Sequence, residues 1–201
     1  MAPLVLPSEA PEELDFNYFG PFRHPTLAAD AAEWLRKNGA EGDCFSPLVR
    51  FLALCRTKHF RFGQDAVAFT VRIERERSDF DVPNPHHDGD DGRYWTVEPG
   101  LNGQPGEAPC KLGMVLLGPG TVFYQTDNEE AHMAVTQGRQ EKKALGWSEE
   151  DIRTWLDEGF APVEKISLRV GEIAKWRVGN DGRGTIHSEP RMNPMPEGRI
   201  L

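Results

Sequence analysis

The sequence is short of the features that identify several large classes of protein. Its 3 cysteines among 201 residues include no Cys-x-x-Cys pair, which argues against a disulfide framework or a zinc knuckle and favours free thiols. No apolar run approaches the roughly 20 residues of a membrane helix. The start, "MAPLVLPSEAPEEL", lacks the basic and apolar regions of a signal peptide. We therefore expect a cytoplasmic protein that does not contact a membrane.

Positive charge and several catalytic motifs are also scarce. The chain has 23 lysines and arginines against 32 acidic residues, a net charge of −9, which disfavours nucleic acid or an anionic membrane as a partner. It contains no Gly-x-Ser-x-Gly elbow. The turns "GPG" and "GRG" are not followed by the lysine and helix of a phosphate loop. The sequence thus predicts neither a nucleophilic triad nor a nucleotide-binding loop.

The first third of the chain is predicted to be helical. A length of 201 residues suits one domain with a single hydrophobic core, in which residues 1–62 form an N-terminal arm and two helices. Residues 1 to about 25 are expected to wrap the surface. The apolar spacing in "TLAADAAEWLRKNGA" and "FSPLVRFLALCRTKHF" predicts two helices, the second capped by Ser46 with Pro47 in its first turn.

Strands are predicted to dominate after Gly63. Apolar residues alternate with others in "AVAFTVRIERE", the two-residue period of a half-buried strand. Further strands are predicted in "KLGMVLLGPGTVFYQT", "EKISLRV", "EIAKWRV", around "TIH" and at "GRIL". Ser148 and Asp151 form a capping box for a helix in "WSEEDIRTWLDEGF". This pattern predicts an α+β fold, a sandwich or a jelly roll, with a helical insertion at about 128–159 that acts as a lid or as the contact of a possible homodimer.

The most unusual stretch is "NPHHDGDDGRYW", residues 84–95. In an extended segment, His86 and Asp88 point to the same side and His87 points away. His187 lies in a later segment that also reads as extended. Two histidines and one carboxylate on one face of a metal leave other positions open, as in non-haem iron(II) oxygenases. We call His86, Asp88 and His187 the metal triad.

Other interpretations of this stretch remain open. It can be a solvated turn whose aspartates cap backbone amides, and a catalytic zinc also accepts two histidines and an acid. The spacing of an EF-hand is missing. His87 and Asp90 form an alternative pair of ligands. The remaining histidines, at positions 24, 59 and 132, are expected to have surface or structural roles because none has a ligand partner at useful spacing.

Four motifs in order resemble the iron(II)/2-oxoglutarate-dependent dioxygenase superfamily. They are the His-x-Asp at 86–88, "LLGPGTVFY", "IHSEPR" and the terminal "GRIL". More narrowly, "GPGT" and "HSEPR" are similar to those of a bacterial family known only as a domain of unknown function. The resemblance covers about residues 65 to 201. It implies a double-stranded β-helix, or jelly roll, over 63–201, with the metal at its open mouth.

The resemblance also implies roles for individual residues. The metal triad would hold iron(II) and form the catalytic centre. Arg199 would bind the far carboxylate of 2-oxoglutarate, which a guanidinium holds with two parallel hydrogen bonds, and Arg191 is a competing candidate. Tyr124 would donate its phenol to the same co-substrate, although a core aromatic role fits it equally well.

The implied activity is a dioxygenase reaction. It would consume dioxygen and 2-oxoglutarate, release succinate and carbon dioxide, and hydroxylate a small-molecule substrate; desaturation and cyclisation are other possible outcomes. Trp95, Trp176 and Arg93 are candidates to line the pocket. The alternative function is a non-catalytic, cupin-like module that binds a metal or a ligand, and the feature that separates the two is an arginine anchor for 2-oxoglutarate.

Overall fold

Two early helices and a series of short antiparallel strands make up the fold. The computed structural model describes residues 4–6, 13–58, 66–74, 81–88, 110–179, 184–191 and 198–201. The strands are β1 (Glu13–Pro21), β2 (Ala66–Glu74), β3 (Cys110–Met114), β4 (Val122–Tyr124), β5 (Lys165–Ser167), β6 (Ile173–Arg177), β7 (His187–Ser188) and β8 (Arg199–Ile200). The helices are α1 (Thr26–Lys37), α2 (Phe45–Lys58), α3 (Glu129–Met133), α4 (Arg139–Ala144) and α5 (Glu149–Gly159), with a π-helical turn at Ala134–Gly138. No helix among these residues is long and apolar enough to cross a membrane.

Helices α1 and α2 form where the apolar spacing predicts them. The larger hydrophobic core cluster of the described residues combines side chains of α1, α2 and β2. Helix α1 contributes five buried residues, adjacent or three and four apart: Leu27, Ala28, Ala31, Ala32 and Leu35. The predicted cap of α2 is wrong. Asp43 Oδ1, rather than Ser46, accepts the backbone N–H groups at the start of the helix, from Phe45 at 3.1 Å and Ser46 at 3.0 Å. A carboxylate oxygen suits the positive end of a helix.

The prediction that residues 1 to about 25 wrap the surface is wrong for Glu13–Pro21. This segment is strand β1, which pairs antiparallel with β2 along its full length. Leu14, Phe16 and Tyr18 alternate along β1 and pack against the larger core cluster. On the other face, Asp15 binds the Arg72 guanidinium through two hydrogen bonds of 2.7 and 2.8 Å. The content of proline and acidic residues favoured an irregular segment, although the alternation of apolar and polar residues in the sequence indicates a strand.

The strands pair in an order that reaches across the whole chain. β2 pairs with β8, β3 with β6, and β4 with both β5 and β7, all antiparallel. Two single bridges extend this order: Leu117 pairs with Ile200, and His86 pairs with His187. One set of neighbouring strands therefore has the order β1, β2, β8, β3, β6, where the residues just after β3 make the bridge to β8. The other runs from the segment at His86 through β7 and β4 to β5.

The insertion between β4 and β5 is helical throughout most of its length. Its apolar side chains pack with residues of β4 and of the β7 segment in a second cluster: Tyr124, Val135, Ile152, Leu156, Phe160 and Ile186. The predicted capping box of α5 is confirmed, with Ser148 and Asp151 each accepting from the other's backbone N–H. The insertion thus has its own apolar contacts with the strands that carry the site.

Cys44 and Cys55 are free thiols, as predicted. Cys44 and Cys55 are buried, and Cys110 is partly buried. Burial raises the pKa of the Cys55 thiol to about 11, so this side chain is uncharged and unreactive at neutral pH.

Candidate metal centre

Backbone pairing brings the metal triad together. The N–H of His86 donates to the carbonyl of His187 at 2.9 Å, and the N–H of His187 donates back to the carbonyl of His86 at 3.0 Å. The two histidines are therefore directly opposite each other, with ring centroids 4.5 Å apart. Asp88 follows His86 by two residues and lies on the same side. One ligand atom from each residue of the triad lies within 4.8 Å of the other two.

A backbone carbonyl orients the ring of each histidine. His86 Nδ1 lies 2.6 Å from the carbonyl oxygen of Asn84, and His187 Nδ1 lies 3.1 Å from that of Thr185. A carbonyl oxygen only accepts, so each Nδ1 carries a hydrogen, and Nε2 is the ring nitrogen left to face the Asp88 carboxylate, at 3.4 Å for His187. Metal-binding histidines are commonly oriented by such a hydrogen bond on the second ring nitrogen.

The Asp88 carboxylate has two neighbours besides His187. Trp176 donates its indole N–H to Oδ2 at 2.7 Å, and Lys111 donates to Oδ1 at 3.3 Å. Burial by itself raises the pKa of Asp88, but contacts with His187 and Lys111 outweigh it, and the resulting pKa lies well below the usual range of an aspartate. Asp88 is therefore an anion at neutral pH, as a metal ligand must be.

Burial and the adjacent His187 ring both lower the pKa of His86. A histidine with a lowered pKa is neutral at physiological pH. His86 therefore offers a neutral imidazole nitrogen and Asp88 a carboxylate oxygen, which are donors that first-row transition metals accept.

Aromatic rings fix the position of His187. Its ring centroid lies 5.9 Å from that of Phe123 and 5.7 Å from that of Trp176, and these two rings are 5.4 Å apart in an edge-to-face contact. Gly113, on the strand beside β6, makes room for the indole: a Cβ at this position would lie 2.8 Å from the Trp176 ring. One wall of the centre is therefore apolar and closely packed.

Arg199, the first candidate to bind 2-oxoglutarate, is buried. Its side chain is 2% exposed and forms an ion pair with Glu74, its register partner on β2. Its Nη1 has no hydrogen-bond partner within the described residues. Glu189, two residues after His187, has an unpartnered carboxylate oxygen as well.

Arg191 and Tyr124 lie away from the metal triad. Arg191 is exposed and binds Asp157 of α5 at 2.7 Å. The Tyr124 hydroxyl lies 3.2 Å from Ser188 Oγ, and its ring packs edge-to-face on Phe160 in the second cluster. Because neighbours in a strand face opposite ways, Phe123 turns towards His187 and Tyr124 turns towards the insertion. The core aromatic interpretation of Tyr124 is the one that the contacts match.

Of the other predicted site residues, some contact the metal triad, some lie elsewhere, and some fall outside the described residues. Trp176 contacts the site, whereas Trp95, Arg93, Asp90 and His59 lie outside the described residues. His87 points away from the triad, as the alternation predicts, and its Nε2 lies 2.9 Å from Nδ1 of His132. His24 Nε2 lies 3.1 Å from the carbonyl of Val49, a structural contact.

Sequence reasoning missed Lys111 and Asn84. Lys111 is a charged residue among apolar neighbours in β3, a signal that was present in the sequence. Asn84 contributes its backbone carbonyl to His86, and no sequence pattern marks that role.

A groove of about 1170 Å³ lies between the insertion and the strands, and its lining includes Tyr124, His132, Gln137, Arg177 and Ile186. None of the metal triad is among its lining residues. Its lining does include Thr185, whose carbonyl lies 3.1 Å from His187 Nδ1, and Ile186, so the groove lies next to the segment that carries His187.

Comparison of the chain with protein-family models, curated proteins and solved structures gave no significant match. The arguments for a function therefore rest on the geometry of the metal triad and on the motifs quoted above.

Proposed function

We propose that the protein is an iron(II)- and 2-oxoglutarate-dependent dioxygenase that hydroxylates a small-molecule substrate. The observation that carries this proposal is the convergence of His86, Asp88 and His187, with both Nδ1 atoms bound to backbone carbonyls. Two neutral imidazoles and one carboxylate are the ligand set of non-haem iron(II) oxygenases, in which the remaining positions stay open for co-substrate and dioxygen.

The order of strand pairing supports a jelly roll as the fold. In this fold β2 would be the first strand, the segment at His86 the second, and β3 to β8 the third to the eighth. The first strand then pairs with the eighth, and the second with the seventh. The third pairs with the sixth and the fourth with the fifth. This is the pairing of a long antiparallel hairpin that has been rolled up, as in an eight-stranded jelly roll. In such a fold the triad comes from the second and seventh strands, which are neighbours.

Each part of the site has a task in this proposal. The metal triad would hold iron(II), which supplies the activation of dioxygen. Asp88 is kept ionised by His187, Lys111 and Trp176. Phe123 and Trp176 exclude water from one side of His187.

Arg199 is the better of the two arginine candidates for the far carboxylate of 2-oxoglutarate. It is buried and keeps one guanidinium nitrogen without a partner in the described residues, whereas Arg191 is exposed and bound to Asp157. A buried, permanently charged donor without a partner is a costly feature, and a ligand carboxylate would satisfy it.

A non-catalytic, cupin-like module that binds a metal or a ligand is the second candidate. The observation that favours it is the ion pair between Arg199 and Glu74, since a neutralised arginine attracts a carboxylate less strongly. Such a module would bind a metal through the metal triad and would not bind 2-oxoglutarate. We further propose a cytoplasmic location, with which the free thiols of Cys44 and Cys55 agree. We also propose a homodimer through the insertion, whose Leu145 and Trp147 are exposed.

The proposal is tested by anaerobic addition of iron(II) and 2-oxoglutarate, followed by air. The oxygenase should develop the weak visible charge-transfer band of iron chelated by a keto acid, and then release succinate. His187→Ala should abolish both signals, and His24→Ala, a histidine outside the site, should keep them. Arg199→Lys should weaken 2-oxoglutarate binding and leave iron binding intact. Metal binding by the wild-type chain without any band or succinate would favour the cupin-like module instead.

A further inference from the structure

A short chain of hydrogen bonds links the insertion to the metal triad. Arg139, at the start of α4, donates from Nη1 to the side-chain oxygen of Asn84 at 2.6 Å. The backbone oxygen of the same Asn84 accepts the Nδ1–H of His86, also at 2.6 Å. The residue that orients His86 is therefore itself held by a side chain of the insertion, 55 positions further along the chain.

A second arginine of the insertion reaches the same segment. Arg153 of α5 donates from Nη1 to the carbonyl of Val82 at 3.4 Å. Glu149 forms ion pairs with both arginines, with Arg139 and, at 3.7 Å, with Nε of Arg153. The side chains of Arg139 and Arg153 are only 22% and 14% exposed, so water screens these contacts less than it screens ordinary surface pairs. Glu149 thus pairs with both Arg139 and Arg153, and each of these arginines donates a hydrogen bond to the segment that precedes His86.

Of the described residues of this segment, His86 and Asp88 make backbone hydrogen bonds to other segments, and the carbonyl of Asp88 accepts the N–H of Gly179 at 3.1 Å. Among the described residues 81–88, only His86 takes part in a β-bridge. That bridge fixes the backbone of His86 against His187, but it does not fix the carbonyl of Asn84, which sets the rotation of the His86 ring. The contact from Arg139 acts directly on that residue.

We infer that Arg139 is a positioning residue, which sets the orientation of His86 through Asn84 and thereby the metal affinity of the triad. The inference rests on the proposed metal centre. It gives the insertion a role in the site that differs from a lid or a dimer contact. Loss of a group that orients a metal-binding histidine typically costs about 10- to 100-fold in metal affinity. Because Arg139 acts through one intermediate residue, we expect the lower end, about 10-fold.

Cobalt(II) is the probe for the test, because its visible absorption reports the number and geometry of its ligands in the folded protein without any enzymatic turnover. Arg139→Met removes the guanidinium and keeps most of the apolar stem. Asn84→Ala removes the other half of the same hydrogen bond and leaves the ion pair with Glu149 in place. The control is Lys142→Met on the same helix, whose ammonium packs over the rings of Trp147 and Trp155 rather than on the segment at residues 82–86.

We expect Arg139→Met and Asn84→Ala each to weaken cobalt binding about 10-fold and to change the shape of the cobalt bands. The double variant should lose no more than the larger single loss, since both substitutions remove one interaction. Arg139→Lys should recover part of the affinity, and Lys142→Met should bind cobalt like the wild-type chain.

The possible failures are distinguishable. If the wild-type chain binds no cobalt, the proposed metal centre is wrong. If it binds cobalt and the Arg139 and Asn84 variants bind it equally well, the positioning role is wrong. Equal losses in Lys142→Met would also refute it, because they would reflect general loosening of the insertion. Should Arg139→Met fail to fold, Asn84→Ala decides the question.

Discussion

Replacing Trp176 by Phe tests the electrostatic description of the centre. The substitution removes the indole N–H that donates to Asp88 Oδ2 at 2.7 Å and keeps an aromatic ring next to both Phe123 and His187. A hydrogen bond to a charged group contributes about 1.5–3 kcal/mol. The Asp88 side chain is 18% exposed, so water replaces part of the lost bond. We expect a loss of about 1.5–2 kcal/mol of unfolding free energy at pH 7.

The loss should depend on pH in a definite direction. The pKa of Asp88 in the folded chain lies below its unfolded value of about 3.9. Its carboxylate therefore contributes its full stability above that value, and the contribution is lost as the pH falls through the folded pKa. The unfolded chains share one pKa for Asp88, so the deficit of Trp176→Phe should be constant from pH 7 down to the folded-state pKa of the variant and shrink as the pH falls from there towards the lower folded-state pKa of the wild-type chain.

The assay is urea denaturation of metal-free protein at a series of pH values. Phe123→Leu is the matched control, because Phe123 packs on both Trp176 and His187 and has no polar contact with Asp88. Its loss of stability should not vary with pH over the same range. A pH-independent deficit for Trp176→Phe, or the same pH dependence in both variants, would refute the role given to the indole N–H.

Three further predictions concern stability and reactivity. Glu74→Ala should cost about 3–5 kcal/mol of unfolding free energy, measured by urea denaturation, because it leaves Arg199, which is 2% exposed, without its opposite charge; a loss typical of a surface pair would contradict this. Ser148→Ala should cost about 1 kcal/mol in the same assay, since it removes the capping box with Asp151, and an unchanged midpoint would show that the box is not formed. Iodoacetamide at mildly alkaline pH should leave Cys55 unmodified in the folded chain and alkylate it in urea, because burial raises its pKa to about 11; rapid modification of the native protein would show that this thiol is accessible.

The spacing of apolar residues along the chain predicted the helices and most strands, because the period of a helix or a strand is a property of that element alone. The spacing of apolar residues placed α1, α2 and α5, and alternation placed β2. The same alternation is present in β1, at Leu14, Phe16 and Tyr18, but there it follows a stretch rich in proline and acidic residues, which favours an irregular segment. The cap of α2 shows a related difficulty, since Asp43 and Ser46 are both good capping residues, and only the backbone path decides between them.

Pairing across the chain is what the sequence does not contain. The local sequence predicts that His86 and Asp88 lie on one side of a segment. Their approach to His187, however, depends on a backbone bridge between positions 101 residues apart (187 − 86). The partners of Arg199 and Asn84 are likewise set by register and by helix docking. No spacing rule connects Glu74 with Arg199, or Arg139 with Asn84, because each pair belongs to different elements.

The most direct test of the metal centre is anaerobic titration calorimetry with iron(II). The account predicts one ion bound per wild-type chain, and a loss of affinity greater than about 100-fold in His86→Ala, Asp88→Ala and His187→Ala, with all three variants folded by circular dichroism. Absence of iron binding by the wild-type chain, or unchanged binding in any one of the three variants, would contradict it.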